Sequence, residues 1–252
     1  MSKKEEVLNS LSLWQSYQGK MLTTFIALCG FAFGAAGGVV SVPLWLTAVS
    51  MIGVVLIGIS VILLHRKIIK LQHKIEKKLD GYRYEHTLGV MYTAGALAMR
   101  HDVDLDDALL AGLLHDCAKC YPDDKKYELC EKYHVSLTDI EQQNTALIHA
   151  KLGAVLAKEK YGVESDAVCA AIETHTTGAP AMTPLQQIVF IADYIEPHRD
   201  RAGRLNEIRH AAFESLDLAC QMILTDTLEY LLDSPKLVDP MTKKTFEYYV
   251  NK

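Results

Sequence analysis

Residues 21–64 carry no charged side chain, about 44 positions in a row. No other stretch constrains the chain so strongly. A membrane-spanning helix takes about 20 apolar residues, so the run is long enough for two spans and too long for one. Gly37-Gly38 and Ser41-Val42-Pro43 lie near its middle, where a Gly and Pro pairing marks a turn. The run therefore predicts a hairpin of two transmembrane helices over about 21–39 and 44–64. A cleaved signal fits less well, because the leader before Met21 is long and carries Glu5 and Glu6.

The flanks give an orientation. Lys3, Lys4 and Lys20 precede the first span, and Arg66, Lys67, Lys70, Lys74, Lys77 and Lys78 follow the second, while the turn has no Lys or Arg. The positive-inside rule then puts both termini and everything after residue 64 in the cytoplasm, anchored to the cell membrane. Gly30, Gly34 and Gly38 share one face of the first span. Their spacing favours close helix packing inside the hairpin, with a homodimer through this face as the alternative. Residues 65–80, HRKIIKLQHKIEKKLD, read as a basic linker helix beside the membrane. Ile68, Ile69, Leu71, Ile75 and Leu79 form a partial apolar stripe, and the lysines between them suit anionic lipid headgroups.

The net charge of -5 hides an asymmetry: residues 1–80 have a balance of +5 and the remainder a balance of -10. An acidic body argues against nucleic acid as its partner. Six cysteines without a paired framework point to reduced thiols.

From Gly81 onward the apolar spacing is helical and strand signals are nearly absent, as in ALLAGLLHDCAK, IHAKLGAVLAKEKYG and DAVCAAIETH. The fold class expected is all-α: a helical bundle over 81–252 preceded by the membrane segment 1–64 and the linker 65–80. One helix start is unusually clear. Thr183 is an N-cap, Pro184 takes the first helical position and Gln186 follows three residues after the cap. That helix should run to Glu196 and stop at Pro197.

Within this apolar helical setting sit His86, the pair His115-Asp116, His149, His175 and Asp193. Each alone reads as a satisfied core residue, but a buried carboxylate is costly unless paired or metal-bound. Adjacent residues on a helix point about 100° apart, so His115 and Asp116 can share one ion most easily at a helix end. Imidazole plus carboxylate suits a divalent transition metal rather than a thiolate-seeking one.

The stretches RYEHTLGV (83–90), LLHDCAK (113–119), IHAKLGA (148–154), THTTG (174–178) and IADYIEPHRD (191–200) carry a resemblance. The chain resembles the HD-domain phosphohydrolases, and more closely the YqeK-type symmetrical diadenosine tetraphosphatases, over about residues 80–252. The resemblance implies an HD helical bundle that splits diadenosine tetraphosphate into two ADP, using Fe or Mn as one or two ions. It places His86, His115, Asp116 and Asp193 as metal ligands, and His115, Asp116 and Lys119 as the catalytic group. It implies nucleotide contacts at Arg83, Asp116, Cys117, Ala118, Lys119, His149, His175, Thr176, Asp193 and Arg199, and at a closing segment of Lys236, Leu237, Val238, Asp239, Pro240 and Met241. The chain departs from the family pattern at Ala150, Ala179, Ala181 and Asp239, none of them a metal-ligand position.

The chemistry fits those residues. A polyphosphate repels a water nucleophile, and a bound metal lowers that water's pKa from about 15.7 towards 7. Lys119, Arg83 and Arg199 would neutralise the phosphates. His149 and His175 either hold a second ion with Asp116 as a bridge or hydrogen-bond phosphate directly. Cys117 and Cys120 form a CxxC, but no second pair completes a zinc site and no βαβ setting supports a redox motif, so both read as structural. Hydrolysis of another nucleotide, or nucleotide sensing without turnover, are the alternative functions.

Overall fold

The computed structural model describes residues 44–200, 203–233 and 238–252, with few side chains before Arg66. Two compact units divide the chain, Met1–Lys70 and Leu71–Lys252. Among the described residues every regular element is a helix. They are α1 Leu44–Glu76, α2 Gly81–Arg100, α3 Leu105–Leu114, α4 Asp123–Lys132, α5 Asp139–Gln143, α6 Thr145–Tyr161, α7 Asp166–Thr174, α8 Pro184–Ile195, α9 Leu205–Glu214, α10 Leu216–Leu232 and α11 Pro240–Val250.

The membrane hairpin is not borne out. Among the described residues no helix is long and apolar enough to cross a membrane. The expected first span, its turn and the Gly30, Gly34 and Gly38 face lie outside the described residues. The expected second span falls on the backbone of α1, where most side chains are likewise undescribed. The expected linker is the continuation of the same helix, which runs unbroken to Glu76. Its last turns belong to the larger unit, where Leu71 and Ile75 are buried.

In that unit α8 is the central helix, packing on α2, α3, α7, α9 and α10. Its residues Ile188, Val189, Phe190, Ile191, Ala192 and Ile195 are all buried, each large aliphatic contributing about 1.5–3 kcal/mol. Its start is the one the sequence announced. Thr183 caps Gln186 N, Gln186 caps back, Pro184 opens the helix and Glu196 closes it. Around α8, α2 packs on α3 and α3 on α7. The α2–α3 approach is close enough to require glycine, since a Cβ on Gly112 would sit 2.8 Å from Met91 Cα.

Helix ends carry the site. α3 stops at Leu114 with His115 as its C-cap, and α7 stops at Thr174 with His175 as its C-cap. Beyond His115 the chain makes tight turns, Cys117 N to Leu114 O and Lys119 N to Asp116 O. These bonds span three residues, so the α-helical pattern of α3 does not continue through Cys117 and Cys120. At this helix end His115 Nε2 and Asp116 Oδ2 come within 3.4 Å of each other.

Candidate metal centre and phosphate site

Three histidines are held by one local device. His115, His149 and His175 each point Nδ1 at the carbonyl three residues earlier, those of Gly112, Ala146 and Ile172, at 2.8, 2.5 and 2.7 Å. A carbonyl only accepts, so each Nδ1 carries the proton. In the neutral ring Nε2 is then a bare lone pair. His86, near the start of α2, points Nδ1 at the Glu196 carboxylate at 3.1 Å.

The Nε2 atoms converge in two pairs. His86 and His115 are 3.3 Å apart, and His149 and His175 are 3.1 Å apart. Asp193, from α8, places Oδ1 3.1 Å from His86 Nε2 and 3.8 Å from His115 Nε2. Asp116 lies between the pairs. Its Oδ2 is 3.4 Å from His115 Nε2, and its Oδ1 is 3.5 Å from His149 Nε2 and 3.4 Å from His175 Nε2.

This arrangement fits divalent ions on its own geometry. Asp116 Oδ1 is fully buried and has no hydrogen-bond partner. It faces the bare nitrogens of His149 and His175 with no proton between the three atoms. The Thr176 hydroxyl lies 3.1 Å from both nitrogens, but its one proton serves only one of them. Buried lone pairs left facing one another are unfavourable and mark a cation's place. Among the described residues two groups have ligand atoms close enough for one ion: His86, His115 and Asp193, and His115, Asp116 and His175.

The electrostatics agree. Burial alone would push the carboxyls of Asp116 and Asp193 up. The neighbouring His115 at Asp116, and the His86 bond at Asp193, outweigh it and hold both well below the usual carboxylate range. Burial also opposes charge on His86, but its bonds to Asp193 and Glu196 prevail and raise it to about 9. His149 is driven the other way, down to about 3, by burial and by the neighbouring His175.

Two cations flank the centre. Lys119 Nζ is 2.9 Å from Asp116 Oδ2, and Arg199 Nη2 is 3.0 Å from Asp193 Oδ1. Both side chains are partly exposed, so each can reach a ligand in solvent. Arg83 approaches the same edge, its Nη1 3.4 Å from the Lys119 carbonyl. The Cys117 thiol turns inward to Gly153 O, and both Cys117 and Ala118 are buried. Burial pushes the Cys117 thiol up strongly, consistent with an inert structural cysteine. All five described cysteines are free thiols. Asp239 caps α11, Pro240 and Met241 open it and Val238 precedes it, while Lys236 and Leu237 lie outside the described residues. α11 lies against Gly178, at φ +65°, where a Cβ would fall 2.7 Å from Thr245 Cγ2.

One residue escaped the sequence reading. Glu196 was expected only as the end of α8, yet it is 1% exposed and fixes His86. Its Oε2 accepts from His198 N at 2.7 Å. Burial pushes its carboxyl up, but the bonds from His86 and His198 more than compensate and keep it ionised. The signal was present: Glu196 follows Asp193 by three, which puts both on one helix face.

Comparison with known proteins places this arrangement. The HD domain family matches residues 83–198. A symmetrical bis(5'-nucleosyl)-tetraphosphatase of Bacillus subtilis is 35% identical over 179 residues, covering 70% of this chain and 94% of that protein. A protein of the same description from Halalkalibacterium halodurans is 37% identical, covering 68% of this chain and 91% of its own length. A crystal structure from Clostridium acetobutylicum, described as a predicted HD superfamily hydrolase involved in NAD metabolism, superposes with a TM-score of 0.69 at 38% identity, over 72% of this chain and 96% of that one. With its convergent histidines and its His115-Asp116 pair at a helix end, the chain belongs to the HD-domain family, in the group of the symmetrical bis(5'-nucleosyl)-tetraphosphatases.

Proposed function

We propose that the protein hydrolyses diadenosine tetraphosphate symmetrically to two ADP, with Fe or Mn held by His86, His115, Asp116 and Asp193 and a second ion by His149, His175 and Asp116. The observation that carries this is the Asp116 carboxylate, whose two oxygens serve two separate imidazole pairs. The names of the relatives supply the substrate. A bound divalent ion would supply an acidified water and a polarised phosphoryl oxygen.

The chain's own groups do the rest. The Lys119 ammonium sits on Asp116 and can lean onto a phosphate without leaving the centre. Arg199 does the same from Asp193. Charge spread over the phosphoryl oxygens as the central anhydride breaks is met from both sides. The Thr176 hydroxyl, beside His149 Nε2 and His175 Nε2, would be available to donate to a phosphate oxygen if those nitrogens held an ion.

The test is to load the full chain with Mn or Fe(II), add diadenosine tetraphosphate and separate the products by chromatography. Two equivalents of ADP, lost with chelator, are expected. ATP plus AMP would refute symmetrical cleavage.

We further propose that residues 21–64 anchor the protein in the cell membrane with the catalytic unit in the cytoplasm. The support is the uncharged run and its basic flanks. Recovery of the expressed chain in the membrane fraction, resistant to alkaline extraction, is expected. Release into the soluble fraction would refute the anchor.

A further inference from the structure

Central cleavage of a symmetrical dinucleotide requires two nucleoside diphosphate arms to leave the reacting phosphates by two routes. One route is a cleft of about 630 Å³ whose lining includes Asp193, Tyr194, Arg199, Arg204 and Tyr230. That size suits a nucleotide, and the Asp193–Arg199 pair of the centre is part of its lining. The other carboxylate of the centre leads elsewhere. Asp116 holds Lys119, the Lys119 carbonyl receives Arg83, and the next residue, Cys120, lies in the fields of Lys78, Lys160 and Arg83.

Beyond Cys120 three ammoniums gather on two tyrosines. Lys78 Nζ is 3.0 Å from the Tyr161 hydroxyl and lies 5.1 and 5.8 Å from the ring centroids of Tyr161 and Tyr121. Lys160 Nζ is 3.2 Å from the Tyr121 hydroxyl and 5.0 Å from its centroid. Lys74 Nζ lies 4.6 Å from the Tyr161 centroid and donates to the Lys160 carbonyl at 2.6 Å. Each of these partners is neutral. Elsewhere on the body Lys125, Lys126, Lys151 and Lys158 each have a carboxylate within 3.1 Å. The nearest acids on the same stretch are engaged, Glu76 with His73 and Asp80 with Arg83. Hydroxyls and ring faces fix the lysines in place without cancelling their charge, and such a field collects phosphates.

We propose that Lys78 and Lys160, centred on Tyr121, form the subsite for the distal nucleoside diphosphate arm, continuous with the metal centre through Lys119 and Arg83. It rests on the hydrolase reading above. The subsite explains how a substrate with two identical ends is presented at its middle, with one arm in the Arg199 cleft and one on the lysines.

The test compares two substrates on the Mn-loaded full chain. Diadenosine tetraphosphate has both arms, whereas adenosine 5'-tetraphosphate has the same scissile linkage and only one nucleoside. In Lys78→Gln/Lys160→Gln the KM for the dinucleotide should rise about tenfold, as loss of two charge-assisted contacts implies. Its kcat should stay within about twofold, and the KM for adenosine tetraphosphate, which keeps both distal phosphates, should rise alongside. Lys78→Arg/Lys160→Arg should restore the dinucleotide KM. Where the double variant does not fold, Lys160→Gln alone gives the same comparison. An unchanged dinucleotide KM, or a fall in kcat with KM unchanged, overturns the subsite alone. A wild type that splits no diadenosine tetraphosphate overturns the reaction and the subsite with it.

Discussion

Replacing Glu196 by Gln tests how the centre is built. Glu196 Oε1 receives His86 Nδ1–H at 3.1 Å, and Oε2 receives His198 N–H at 2.7 Å. A carboxylate accepts on both sides, but an amide has only one accepting oxygen. The Glu196→Gln side chain would therefore turn its NH₂ on either His86 or His198, losing one buried bond. The side chain cannot swing away, because it lies so close to Gly89 that a Cβ there would fall 2.5 Å from Oε2. The negative charge that makes His86 a stronger ligand is lost as well. Removing such a partner of a metal-bound histidine typically costs about 10–100-fold in metal affinity, or about 1.4–2.8 kcal/mol. The loss should fall on the His86–His115–Asp193 half and spare the His149–His175 half, which makes no contact with Glu196 among the described bonds. Competition against a chromophoric chelator, fitted to two sites, measures this. Unchanged affinity at both sites, or equal loss at both, would refute the assigned role.

Other expectations follow from the same geometry. With its pKa raised from 6.5 to about 9, protonated His86 stabilises the metal-free fold fully below pH 6.5, and that contribution fades as pH rises through about 9. Metal uptake at this half must displace the proton, so its affinity weakens about tenfold per unit as pH falls below 9. His149, neutral down to about 3, adds no such dependence. Titration calorimetry at pH 7.5 in buffers of different ionisation enthalpy should report about one proton released, and zero release would contradict the bridged His86. His149→Ala with His175→Ala should lower the bound metal from two ions to one by elemental analysis. Retention of both would return those histidines to phosphate binding. Gly112→Ala should cost about 1–3 kcal/mol by overpacking Met91 and lower Tm by at least about 2 °C. An unchanged Tm would contradict the close α2–α3 approach.

Much of the catalytic unit was legible in the sequence because its signals are local. The start of α8 is written in Thr183, Pro184 and Gln186, and its end in Pro197. The His and Asp set stood out because those residues interrupt apolar helical runs. Their sharing of a point was legible only as a condition, that His115 should lie at a helix end, and the end of α3 meets it. Glu196 showed only its spacing from Asp193, because the partner that gives it a role, His86, lies 110 positions away. The lysines on Tyr121 and Tyr161 were hidden for the same reason, since Lys78 meets Tyr161 across 83 positions. A basic stretch read in isolation looks like a linker, and only tertiary contact reveals that its last turns join the larger unit.

Two of the centre's imidazoles, His115 and His175, occupy the first position after a helix. Their placement is therefore set by helix length. One residue inserted into α3 or α7 would carry its histidine about 1.5 Å along and about 100° around the axis, out of reach of Asp116. Substitutions on the outer faces of these two helices leave that reach intact, whereas any change in the number of residues destroys it. In this protein α3 and α7 act as rulers, and the centre can tolerate drift in what they are made of but not in how long they are.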